Sequence, residues 1–188
     1  MKELKIIFSR WFAVYLAVLL LIVPIKLLFC MVLSAFVHEL FHLVALRIMK
    51  IKIYSIEIQI LGSKIISMPM DKGKELICAL AGPFGGLVLA CICKNYPLIV
   101  VCSMLHTIFN LIPIYPLDGG RVFRCIMCAI FPLIMGEQVS DAISLLFKGL
   151  LLLLAVLFCI KQGVFTILPI LAFCIIKIPC KHRAERVQ

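Results

Sequence analysis

The chain has 188 residues, of which 64% are hydrophobic and 15% charged, with a formal net charge of +10. So few charges cannot cover the apolar surface of a soluble domain, and the same composition excludes intrinsic disorder. The mean hydropathy of +1.20 is carried in long unbroken apolar runs rather than short alternating strands, which points to an all-α polytopic membrane protein.

At about 20 residues per span, the apolar content sets six helices as an upper bound. The hydropathy predicts spans over about 8–25, 27–49, 75–94, 97–114, 141–160 and 163–178. The first follows Lys2, Lys5 and Arg10 and is not followed by a small-residue cleavage site, so it reads as a retained span rather than a signal peptide. Further basic residues stand at Arg47, Lys50 and Lys52, at Arg121 and Arg124, and in a tail with Lys177, Lys181, Arg183 and Arg186. They place both termini in the cytoplasm and bring the ends of spans two, four and six to the cytoplasmic side. The charge is read as topological, and with no basic face built to read a groove, nucleic acid is excluded as a partner.

Between spans two and three, residues 51–68 alternate apolar and polar side chains with one phase slip near Ser55. They predict a small β-hairpin at the cytoplasmic face, turning at 61–64 into a second strand at 65–68. Its plain role is a connector; its sharper role is an edge that receives an extended peptide by strand addition. In the third span, Gly82 and Gly86 allow close helix approach, and Pro83 kinks or locally frees the backbone. The ten cysteines lie mainly in apolar runs and act as small hydrophobes. Cys125 and Cys128 form a C-x-x-C without a second pair, which reads as packing before redox or metal chemistry.

The chemistry is concentrated in two places. His38, Glu39 and His42 form H-E-x-x-H inside the second span. Residues four apart share a helix face, so the two imidazoles can hold one zinc ion while Glu39 serves as general base toward water. Three ionisable groups in five residues of apolar helix require a metal, a water-filled cavity or both. A catalytic zinc site needs a third protein ligand, and Asp118 is the candidate. It follows Pro113 and Pro116, which interrupt the fourth span, and precedes Gly119 and Gly120, which permit a tight turn. Both motifs fall near cytoplasmic helix ends and so at similar depth. Asn110 either contacts water, the substrate backbone or the oxyanion, or bonds carbonyls freed by the prolines. His106, one helical turn earlier, is either a support for the site or a packed histidine. His182, in the tail, is assigned no role.

With His38-Glu39-x-x-His42, with Asn110-x-x-Pro113-x-x-Pro116-Leu117-Asp118-Gly119-Gly120 and with Ala81-Gly82-Pro83, residues 30–125 resemble the site-2 protease family of intramembrane zinc metalloproteases. Within it, His106-Thr107-x-x-Asn110 and Arg121 point to the branch of the bacterial stage IV sporulation protein FB. The resemblance implies one zinc ion on His38, His42 and Asp118, Glu39 as general base, and hydrolysis of a membrane-associated protein. In that branch the substrate is a pro-sigma factor, the setting is the mother-cell or forespore-surrounding membrane, and inhibitory membrane proteins are the further partners. The expected organisation is a single membrane-embedded domain over 1–188, with a catalytic core at about 27–125 and no CBS or PDZ domain. The rival readings are a zinc transporter, which needs charged groups at several depths, and a catalytically inactive membrane scaffold. Oligomeric state has no signal in the sequence.

Overall fold

The computed structural model describes residues 5–8, 17–59 and 62–162. They form two compact units, one running up to Asn110 and the other starting at Leu111.

The first unit holds strand β1 (Lys5–Phe8), helix α1 (Ile25–Ile48), strands β2 (Ile53–Gln59) and β3 (Gly62–Ser67), and helices α2 (Lys72–Ile92) and α3 (Pro97–Asn110). Residues 17–22 are also helical. Pro24 takes the N-cap position of α1, where its missing N–H leaves no helical bond unmade. The helix starts at Ile25 and takes Lys26 into its first turn. At its far end Lys50 adopts φ 56°, the Ile51 N–H donates to the Leu46 carbonyl and the Lys50 N–H to that of Arg47. This pair of bonds closes the last turn with lysine in a left-handed position that usually carries glycine.

The hairpin is antiparallel, with Gln59 opposite Gly62, so β3 begins at Gly62 rather than at 65. The register shifts between Ile53 and Ser55, where the alternation slips in the sequence. A third strand joins it: β1 pairs in parallel with β2, Lys5 opposite Ser55. Phe8, expected to open the first span, therefore belongs to a sheet. Residues 9–16 of the expected first span and all of the sixth, with the tail and His182, lie outside the described residues.

Three helices among the described residues are long and apolar enough to cross a membrane: Ile25–Ile48, Lys72–Ile92 and Leu133–Phe158. Six spans are not reached within them. α3, with 14 residues, is about 21 Å long against a hydrocarbon core of about 30 Å. It stops at Asn110 rather than at 114, because Pro113 disfavours helical backbone at Ile112. α2 and α3 are joined by a short turn in which the Tyr96 N–H donates to the Cys93 carbonyl.

The second unit holds α4 (Asp118–Ile130) and α5 (Leu133–Gln162). α4 was not expected as an element, since Asp118, Arg121 and Arg124 hide an amphipathic helix from a hydropathy reading. α5 starts earlier than the predicted 141, because Glu137, Gln138 and Asp141 are compatible with helix while lowering hydropathy. Lys50→Gly should raise stability by about 1 kcal/mol by removing the side-chain clash of the left-handed position, and Lys50→Val should lower it. Thermal unfolding in detergent reads both.

Candidate metal centre

On α1 the buried residues Cys30, Ser34, His38, His42 and Leu46 recur every fourth position, while Phe29, Phe36 and Ile48 on other faces are exposed. That stripe is an i±4 ridge, and it packs against α2 and α3. His38 is 2% exposed and His42 5%. Their Nε2 atoms stand 3.2 Å apart, and the rings meet edge to face at 80°. His42 Nδ1 lies 2.8 Å from the Cys78 carbonyl oxygen on α2. Only a protonated Nδ1 can donate there, so the Nε2 lone pair of His42 points toward His38. A metal-binding histidine is commonly oriented by such a bond to a backbone carbonyl.

Room for this pair comes from the small face of α2. A Cβ built on Gly82 would come 2.3 Å from His42 Nε2 and 2.6 Å from His38 Nε2. One on Gly86 would meet the Thr107 hydroxyl of α3 at 2.1 Å. The expected glycine packing is therefore present, and α2 runs as one helix through Pro83. Ser103 on α3 donates to the Gly86 carbonyl at 2.7 Å and ties the same faces together.

α1 and α3 run parallel, with Ser34 donating to the Cys102 carbonyl and His38 packed against His106. The His38 and His106 rings are 4.8 Å apart and nearly perpendicular at 87°. His106 thus packs beside the pair. The same register sets Asn110 level with His42, at the end of α3. Its Nδ2 donates to the His106 carbonyl at 3.0 Å, one turn back on the same helix and not a carbonyl that Pro113 or Pro116 leaves without its helical donor. Glu39, next to His38, is half-buried and lies off the histidine stripe.

In the second unit Asp118 is the first residue of α4 and is buried. A helix N-terminus favours its negative charge, and Arg121 one turn on approaches its carboxylate at 3.6 Å. Gly119 and Gly120 lie against the preceding turn: added Cβ atoms would meet the Leu111 carbonyl at 2.1 Å and the Ile114 carbonyl carbon at 2.4 Å. The turn contains a cis Tyr115–Pro116 bond. Cys125 is buried and Cys128 half-buried, and neither forms a disulfide.

His38 and His42 in the first unit, and Asp118 in the second, are each buried and each carry an atom of a kind that ligates a metal. Two imidazoles and a carboxylate suit zinc. The oriented His42 ring and the space over Gly82 fit that ion. Sequence reasoning passed over Tyr115, Ser144, Arg124 and Glu137, which surround the Asp118 turn. No local motif marks them, since Arg124 and Glu137 sit on different helices and Ser144 stands in a leucine-rich one.

The fold is that of a site-2 protease. Over 100% of this chain and 95% of the other, the structure superposes on the site-2 protease from Methanocaldococcus jannaschii with a TM-score of 0.70 and 23% identity. Residues 92–156 match the model of Peptidase family M50, a stretch that contains Asn110 and Asp118 but not the H-E-x-x-H. A zinc metalloprotease of Methanocaldococcus jannaschii is 28% identical over 149 residues, covering 72% of this chain. The chain spans less than half, 43%, of that relative's length. Together these likenesses show the fold and a partial match to the Peptidase family M50 model.

Gly82→Ala should destabilise the protein by about 1–3 kcal/mol, because the new methyl must displace the histidine pair. Gly149→Ala, with nothing within 4 Å of the added carbon, should be neutral or stabilising. Unfolding midpoints of the two variants in detergent make the comparison.

Proposed function

We propose that the protein is an intramembrane zinc metalloprotease, hydrolysing a peptide bond in or near the membrane segment of a membrane-associated protein. The observation that carries this is the pair of buried histidine Nε2 atoms, 3.2 Å apart within an apolar helix, with Glu39 beside them. Buried ionisable groups in such a helix are costly and mark function. Likeness to Peptidase family M50 and to a zinc metalloprotease supports a zinc-dependent protease.

In this reading His38, His42 and Asp118 hold one zinc ion. Bound there, the metal supplies Lewis acidity toward a peptide carbonyl and toward water. The residues do the rest. Cys78 fixes the His42 ring through its carbonyl. Glu39 takes a proton from the attacking water as its oxygen bonds to the peptide carbon, and gives that proton to the amine as the C–N bond breaks. Asn110 lies at the level of His42, and turning its amide away from the His106 carbonyl would let it donate to the developing oxyanion. The hairpin at 51–68 holds the substrate extended, since a helical substrate hides its peptide bonds.

The finer parts of the reading rest on sequence. Basic clusters support both termini lying in the cytoplasm, and the resemblance to the sporulation branch favours a bacterial cell membrane. His106-Thr107-x-x-Asn110 and Arg121 favour the sporulation branch, with a pro-sigma factor as substrate and inhibitory membrane proteins as partners.

Wild-type protein in detergent should carry about one zinc per chain, and Glu39→Gln should keep the metal while losing essentially all cleavage of a membrane-anchored peptide. Undiminished turnover by Glu39→Gln would remove Glu39 from the mechanism. Deleting 53–67 while zinc is retained should abolish cleavage, and persistent cleavage would exclude the hairpin as the substrate clamp.

A further inference from the structure

We infer that Ser144, on α5, is a positioning residue for Asp118. The inference rests on the reading of Asp118 as a metal ligand. The turn that delivers Asp118 runs between two prolines and has few ways to be held. Three residues between Pro113 and Asp118 carry a backbone N–H: Ile114, Tyr115 and Leu117. Ile114 donates to the Ile112 carbonyl at 2.7 Å and Leu117 to the Ile114 carbonyl at 2.8 Å, both within the turn. The Tyr115 N–H reaches out of it, donating to the Ser144 hydroxyl at 3.0 Å. Ser144 is 1% exposed, so water cannot take over as acceptor.

A second tie acts on the same residue. The Arg124 guanidinium lies over the Tyr115 ring, 6.0 Å from its centroid, and forms an ion pair with Glu137 in the first turns of α5. Gly120 backs onto the Ile114–Tyr115 peptide. The turn is therefore held between α4 and α5, and the Ser144 hydroxyl is the hydrogen-bond acceptor that registers its backbone against α5. The carboxylate three residues later inherits that register. Partners that orient a metal ligand are worth about 10–100-fold in metal affinity.

The test is zinc affinity of the full chain in detergent, by competition with a chromophoric chelator. The set is wild type, Ser144→Ala, Ser144→Thr, Asp118→Ala, the double variant Asp118→Ala/Ser144→Ala, and Ser140→Ala as a buried control one turn away. Ser144→Ala should weaken zinc binding about 10-fold or more. Ser144→Thr, which keeps the hydroxyl, and Ser140→Ala should stay near wild type. Ser144→Ala should cost nothing further in the Asp118→Ala background, because a residue acting through Asp118 has nothing left to act on. Unfolding midpoints run in parallel separate folding from affinity. Wild-type affinity in Ser144→Ala, or the same loss in both backgrounds, overturns the assignment while Asp118 stands as a ligand. Unchanged affinity in Asp118→Ala overturns the ligand itself, and the inference with it.

Discussion

The hydrogen bond from His42 Nδ1 to the Cys78 carbonyl governs the first unit. It crosses between two helices long and apolar enough to span a membrane, satisfies a buried polar nitrogen, and fixes which way the other nitrogen faces. With the ring oriented, the Nε2 lone pair meets His38, and both imidazoles need the space that Gly82 leaves. α3 then closes on the same place, with His106 against His38 and Thr107 over Gly86. A single bond thus sets ring tautomer, helix spacing and the direction of the ligand atoms together.

The second constraint is the short α3. A helix of about 21 Å is shorter than a hydrocarbon core of about 30 Å, and the backbone after Asn110 is irregular, so its peptide groups need partners that a helix would have supplied. The chain meets that need locally. Pro113 and Pro116 have no N–H to satisfy. Ile114 and Leu117 bond within the turn, and Tyr115 bonds Ser144. In an apolar surrounding, irregular backbone is tolerated where it is buried in protein or lines a water-filled space.

Much of this was legible in the sequence because it depends on local spacing. Two histidines four apart had to share a face, and they do. The small residues of α2 had to form a packing face, and Gly82 and Gly86 do. The slip near Ser55 reappears as the register shift of β2. What was not legible depends on distant partners or on mixed composition. β1 pairs with a strand fifty residues away, and a short apolar run cannot be told from the start of a helix by periodicity. α4 carries two arginines and an aspartate in its first turns, so hydropathy passed over a helix that its amphipathic spacing supports. Ser144 has meaning only through Tyr115, which no spacing rule connects to it.

Packing explains why chemistry and stability share one seam. Lipid chains are as apolar as leucine, so large apolar side chains gain little by turning inward. Phe29, Phe36, Phe84 and Leu105 accordingly face outward. The interior of the first unit is built instead from Ser34, Cys78, Ala79, Gly82, Gly86, Ser103 and Thr107, which let backbones approach and exchange hydrogen bonds. Close backbones leave carbonyls such as that of Cys78 within reach of an imidazole. The same small residues leave a gap over Gly82 just large enough for two histidine nitrogens. The helix contact and the ligand cradle are therefore one structure: a change that loosens the packing must also misplace the histidines, and lipid-facing positions are free to vary without touching either.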